Sequence, residues 1–327
     1  MSAPRSKQTD KTPETDDDVE AQRQQKKKQQ GNNNSPRDTA MSSSKLAPSL
    51  KALINAPFAR PGQAPAPRHI RDIYARIARE ARERQYGDRP WITLSAAATI
   101  TLNSPASLLT LHSLIPTLAP SFTPLAAAEL LREIGLKCIS FNGIPRTINT
   151  LNSFKAALAS EPWVAQLSTT PTRNLTLDTL PGVAARGREL WKSIYTPLDE
   201  KLEAKLAEAH PDLPVYILAG HYGPLLADPE GHGKGGLGTV GRTMTSVVAV
   251  ACLRAQTGVG PQVLSHVFGL RKGVEQGAHV LEEGLEGGEE KGVERLAADE
   301  GCEWMLRSVD AIAGAIRDGE GEEKAKL

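Results

Sequence analysis

From Ile70 to Ile316 the apolar residues of this chain recur three and four positions apart, the spacing that gathers side chains along one face of an α-helix. A chain with this period buries its apolar groups by packing helix on helix, so an all-α fold is expected. In the segment 68–84, Ile70, Ile73, Tyr74, Ile77 and Ala81 share one face while arginines fill the others. Ser104-Pro105 and Thr123-Pro124 each set an N-cap residue before a proline, which opens helices because its missing N–H has no partner to lose there. The helix after Thr123 carries Leu125, Ala128, Leu131 and Cys138 on its apolar stripe and ends before Gly143. Ile144-Pro145 then starts another, running through Ile148, Leu151 and Phe154. Further helices are predicted from 182 to about 210 with a break near Pro197, over 243–255, over 263–272 and over 299–316. The apolar run 215–219 is too short for its period to separate a strand from a helix.

Residues 1–47 lack this pattern. They hold no Phe, Trp or Tyr and include runs of Asp, Lys and Asn, so they cannot bury enough surface to offset the entropy of ordering. A disordered tail over 1–47 is expected, then a folded region over 48–318 and a short C-terminal tail over 319–327. The 39 basic and 38 acidic residues leave a net charge of +1, which supplies no field for a nucleic acid; none is expected as a partner. No apolar run is long enough to span a bilayer, so no membrane is expected either. The N-terminus has no apolar signal-peptide core, and its early acidic residues argue against a mitochondrial presequence. Cys138, Cys252 and Cys302 are far apart, without a C-x-x-C pair or zinc-ligand spacing, as in a chain from a reducing compartment. Cys138 and Cys252 lie on apolar helical stripes and are expected to be buried and inert.

Two glycine runs, Gly231 to Gly236 and Gly236 to Gly241, fit G-x-G-x-x-G literally. A dinucleotide fingerprint also needs a strand directly before it and an acidic residue about 20 positions later. Both are missing, so a flexible loop is expected, with no cofactor. His221, Asp228, Glu230 and His232 cluster without a recognised metal-ligand spacing and read as polar loop residues. His112 reads as a satisfied core histidine. His266 has different company: Gln262 stands one helical turn before it, and Gly269 and Gly273 after it permit close approach of a backbone or a substrate. Imidazole suits proton transfer near neutral pH, although a structural histidine bonded to a carbonyl fits equally well. The acidic, glycine-rich stretch 282–291 is expected to be a loop.

Two separated pieces carry a family resemblance. One holds Tyr222-Gly223, Leu237, Arg242, the apolar run 247–253, Gln262, His266 and Gly269; the other is 133–145, from Glu133 through Cys138 to Gly143-Ile144-Pro145. Together they resemble the alkylhydroperoxidase D-like (AhpD-like), carboxymuconolactone decarboxylase family, in the form met in fungal proteins. In ordinary members the Glu-to-Gly-Pro helix follows the His helix, whereas here it precedes it. That order implies two fused, diverged copies of the helical unit, about 68–180 and 181–318. The resemblance further implies assembly as a homo-oligomer, trimer or hexamer. It also implies an oxidoreductase or lyase acting on a small organic acid or a peroxide. In such a site Tyr222 and Arg242 would bind substrate, His266 would move a proton and Glu133 would orient or assist it. The family's C-x-x-C peroxidase pair is absent from this sequence. A non-catalytic binding or scaffolding protein that keeps the fold is the competing expectation.

The chain ends Ala325-Lys326-Leu327, a small residue, a basic residue and leucine, like the Ser-Lys-Leu address read by the peroxisomal import receptor. A peroxisomal location with that receptor as partner is expected, cytoplasm or mitochondrion being the alternatives.

Overall fold

The computed structural model of the protein describes residues 46–229, 238–281 and 289–324. Residues 1–45 of the expected N-terminal tail, residues 231–237 of the glycine-rich loop, residues 282–288 and the terminal tripeptide Ala325, Lys326 and Leu327 lie outside the described residues. The described residues fall into two compact units, one ending at Pro61 and one beginning at Gly62. In the first, the described residues form α1 (Pro48–Ile54) and a 3-10 turn (Pro57–Ala59), each opened by its proline.

The second unit holds α2 (Ile70–Glu83), α3 (Asp88–Thr101), α4 (Pro105–Leu118), α5 (Pro124–Asn142) and α6 (Ile144–Ala157). These are followed by α7 (Leu180–Tyr195), α8 (Asp199–Ala209), α9 (Asp212–Tyr216) and a π-helix (Ile217–Leu226). Next come α10 (Gly241–Gln256), α11 (Gly260–Glu275), α12 (Ala278–Leu281), α13 (Glu289–Ala297) and α14 (Asp299–Lys324). Among the described residues there is no strand, and the all-α expectation holds.

Two helices form the centre because they are apolar or small on every side. In α3 every residue after Asp88 is buried, and in α10 every residue from Thr243 to Leu253. They pack on each other, with α2, α4, α5 and α14 also against α3 and with α5, α11 and α14 also against α10. The buried hydroxyls of Thr99 and Thr101 donate to the carbonyls of Ser95 and Ala97 one turn back, both at 2.7 Å, so they need no outside partner. Each fully buried Leu or Ile here contributes about 1.5–3 kcal/mol. A second, smaller core gathers Leu190, Trp191, Ile194, Tyr222 and Leu226 between α7 and the π-helix, with Phe141 of α5 against it.

The pairs α3–α4 and α10–α11 share a plan. Each first helix has arginine at its second position, Arg89 or Arg242, and each second helix has proline at its start and one buried histidine, His112 or His266. A Tyr-Gly pair precedes each arginine, Tyr86-Gly87 and Tyr222-Gly223.

Helix starts fall where the prolines put them, but not always for the expected reason. The Thr123 hydroxyl accepts from Ala126 N as a cap should. Ser104 caps nothing; its hydroxyl donates to the carbonyl of Ala64, 2.9 Å away, pinning the preceding linker. Gly143 stops α5 with a φ of +78°, a conformation other residues resist. The run 215–219 is helical, divided between α9 and the π-helix. Two expected non-helical stretches are shorter than predicted: Glu289 already belongs to α13, and α14 continues through 319 to Lys324.

Candidate functional site

The π-helix positions the candidate site. Such helices are rare, because each wide turn loosens the backbone hydrogen bonding, and they concentrate at functional positions. This one lies almost backbone on backbone against α7, and two glycines make that possible. A Cβ on Gly187 would stand 2.6 Å from the amide nitrogen of Gly223, and one on Gly223 would stand 2.6 Å from the carbonyl oxygen of Val183. The approach seats Tyr222 among α7 aromatics: its ring centroid is 5.1 Å from that of Trp191, and its hydroxyl is 3.1 Å from that of Tyr195. His266 of α11 closes the group, 6.3 Å from the Tyr195 ring and 5.8 Å from Phe141, both edge-on.

Arg242 holds the floor together. Its Nε donates to Ser193 Oγ and its Nη1 to Ser246 Oγ, each at 2.7 Å, and its Nη2 donates to the carbonyls of Ser193 and Gly269. Most of its donors are thus committed to α7, α10 and α11, so its charge acts on the site chiefly at short range through space. Gly269 gives Ile194 room to approach, and Gly273 gives it to Thr243 and Arg242. Gln262 is exposed.

The electrostatics follow from burial. His266 is driven down to about pH 4, first by loss of hydration and then by the positive Arg242, so its imidazole is neutral at pH 7. Burial raises the phenols of Tyr195 and Tyr222 above the usual tyrosine value, against a smaller downward pull from Arg242, and both stay protonated donors. Two buried polar atoms in this group take no hydrogen bond, Nδ1 of His266 and Nε1 of Trp191. Orphans of this kind cost about 1–3 kcal/mol each, which is the usual mark of a place that receives a water or a ligand. His112, the equally buried histidine of α4, is satisfied: its Nε2 lies 2.9 Å from the carbonyl of Pro124.

The structure therefore brings Tyr222, Arg242 and His266 together, with Tyr195 and Trp191 added. Glu133 goes elsewhere. Its carboxylate is gripped at both oxygens by Arg173. It stands eight residues before Phe141, the α5 residue that meets His266, which is roughly 12 Å along the helix axis. Arg173 lines a cleft of about 430 Å³ with Asp178, Arg186, Gly223, Pro224 and Ala227, and none of Glu133, Tyr222, Arg242 and His266 lines it. Among the described residues no group of three or more His, Cys, Asp or Glu side chains is arranged to hold a metal. His221 sits on the π-helix 3.2 Å from Ser140 Oγ, and Asp228 accepts from Lys137; Glu230 and His232 lie outside the described residues.

Sequence reasoning missed Lys137. It is fully buried in α5, donating to the carbonyl of Leu226, to Asp228 Oδ1 and to Thr245 Oγ1 at 2.6, 2.7 and 3.0 Å, and so fixes the exit of the π-helix. Lys137→Met leaves the Leu226 carbonyl without its donor and is expected to lower the unfolding free energy by about 2–4 kcal/mol, as measured by urea denaturation. A change below about 1 kcal/mol would show that the lysine braces nothing. Trp191 and Tyr195 were also missed, although the aromatic spacing in 190–195 together with the glycines 187 and 223 is a readable signal.

No family model and no solved structure matches the chain. The chain is similar to Peroxisomal protein 2 of Saccharomyces cerevisiae. The two are 29% identical over 168 residues, which is 46% of this chain and 56% of the yeast protein. The likeness thus spans little more than half of that relative, and it links the chain to a protein named for the peroxisome.

Proposed function

We propose that this chain is a peroxisomal protein with an AhpD-like, carboxymuconolactone decarboxylase-like fold of two diverged halves, about 68–180 and 181–318. In this reading only the second half keeps a working site. The observation that carries it is the contrast between the two histidines: His112 is hydrogen-bonded to a carbonyl, whereas Nδ1 of His266 is buried without a partner beside two phenols and a guanidinium. A fold keeps an unsatisfied buried imidazole against its cost in stability where the group has work to do.

The substrate class is a small organic acid or a peroxide. Arg242 favours a bound anion, and that anion in turn offsets the charge that depresses His266, raising its basicity when substrate is present. His266 then accepts a proton from the substrate, while the protonated Tyr195 and Tyr222 donate hydrogen bonds to its oxygens. Glu133 acts through Arg173 at the neighbouring cleft. The test is a thermal-shift panel of small mono- and dicarboxylates and organic hydroperoxides. A ligand at a hundred times its Kd stabilises by about 2.7 kcal/mol. At least one compound is expected to raise the Tm of the wild type and not that of His266→Phe; a panel that moves neither protein, or both equally, removes the reading.

The engagement of Arg242 by Ser193, Ser246 and Gly269, and of Glu133 by Arg173, favours a second reading, a binding or scaffolding protein that catalyses nothing. It predicts ligand-induced stabilisation without turnover.

The location rests on the yeast likeness and on Ala325-Lys326-Leu327. A fluorescent protein fused to the N-terminus is expected to concentrate in peroxisomes and to become diffuse when the three residues are deleted. Identical diffuse signal from both fusions would end the assignment.

A further inference from the structure

We propose that Cys138 and Cys252 are a modification site: a hydroperoxide converts them to an intramolecular disulfide that cross-links α5 to α10. The two thiols, 114 positions apart in sequence, meet with their sulfurs 3.5 Å apart. An absent C-x-x-C motif therefore does not leave either cysteine without a partner. A disulfide needs about 2.05 Å, so the sulfurs must close by roughly 1.5 Å. The surroundings distinguish the two thiols. The amide of Asn142 points its Nδ2 at the sulfur of Cys252, 3.7 Å away, and the Cys252 thiol itself faces the carbonyl of Ala97 and the sulfur of Cys138. Burial, followed by the neighbouring Cys252, holds the Cys138 thiol well above its ordinary value, which suits the resolving member.

The chemistry balances with the hydroperoxide as the named oxidant. The sulfur of Cys252 gives up its proton and attacks the hydroxyl oxygen of the peroxide; the O–O bond breaks, the second oxygen takes up that proton and leaves as an alcohol or water, and Cys252 becomes a sulfenic acid. Cys138 attacks that sulfur, the S–O bond breaks, water departs and the S–S bond forms. Two thiols are oxidised and one peroxide is reduced. Both cysteines are fully buried, so the step waits on brief openings of the helix pair that admit a small peroxide but not a bulky reagent. Cys302, buried on α14, stands outside the pair and serves as the internal control.

The experiment treats the full-length protein with hydrogen peroxide, denatures it, alkylates it with N-ethylmaleimide and measures its intact mass and disulfide-linked peptides. The expected result is one alkylated cysteine, Cys302, instead of three, with a Cys138–Cys252 linked peptide that dithiothreitol removes. The same linkage is expected in Cys302→Ser and not in Cys138→Ser or Cys252→Ser. Circular dichroism before and after treatment confirms that the oxidised protein is folded, and protein oxidised in urea shows what unfolded pairing yields. Three alkylated cysteines after treatment, sulfinic acid on a single cysteine, or a linkage that includes Cys302 in the folded protein would each overturn the proposal.

Discussion

Replacing His266 with phenylalanine is expected to leave stability near pH 7 within about 1 kcal/mol of the wild type, or to raise it, and to abolish about 3 kcal/mol of acid sensitivity. In the native protein the imidazole is held near 4, whereas in the unfolded chain it titrates at 6.5. Below 6.5 the unfolded chain takes up a proton that the native state refuses, and the equilibrium moves toward unfolding. The stability associated with the neutral imidazole is thus fully present above 6.5 and is lost as pH falls toward 4. At about 1.36 kcal/mol per pKa unit the full difference is about 3 kcal/mol. Phenylalanine keeps the edge-on contacts with Phe141 and Tyr195, removes the orphaned Nδ1 and has no proton to gain. Urea midpoints near pH 7 and pH 4.5, compared between the two proteins, isolate this term because every other titrating group is common to both. If the two lose the same stability on acidification, the histidine is not held neutral by its surroundings.

Gly187→Ala is the second large effect. The added methyl would meet the amide nitrogen and the Cα of Gly223 at 2.6 and 2.8 Å, and both are backbone atoms that no side-chain rotation moves aside. The π-helix must then leave α7 and carry Tyr222 away from Tyr195 and Trp191. Overpacking usually costs 1–3 kcal/mol, and a backbone clash falls at or above the upper end, so a loss of about 3 kcal/mol or more is expected. Gly182→Ala in the same helix is the control: there the new atom would meet only the flexible end of Arg186, at 3.3 Å. Chemical denaturation of both variants reads the difference. Equal, small losses would mean that the close approach of the two helices is not a constraint.

Local physics governs what was legible in the sequence. Proline and glycine place helix ends by removing an N–H or permitting a positive φ, so the starts at Pro105, Pro124 and Ile144 and the stop at Gly143 could be read directly. The apolar period likewise announced α2 and the buried stripe of α5. What escaped depends on partners distant in the chain. Lys137 reads as an ordinary surface charge until its acceptors arrive from positions 89 to 108 residues further on. The Cys138–Cys252 contact is invisible to motif reading for the same reason. The π-helix escaped because its wide turn does not follow the 3.6-residue template, which left 215–219 undecided and hid the face that Tyr222 shares with Tyr195. At the site, sequence pointed to Tyr222, Arg242 and His266, and the fold brings them together. It could not reveal that Arg242 is spent on bracing three helices or that Arg173 claims Glu133.

Turnover measures most directly whether the side chains gathered around His266 perform chemistry. Wild type and His266→Phe, both verified as folded, are incubated with the panel of small organic acids and hydroperoxides, and consumption is followed by mass spectrometry. A positioned acid–base group contributes about 10²–10⁴-fold to rate. The account predicts that the wild type consumes at least one compound and that His266→Phe does so at least about 100-fold more slowly; equal consumption by the two proteins, or none by the wild type, would contradict it.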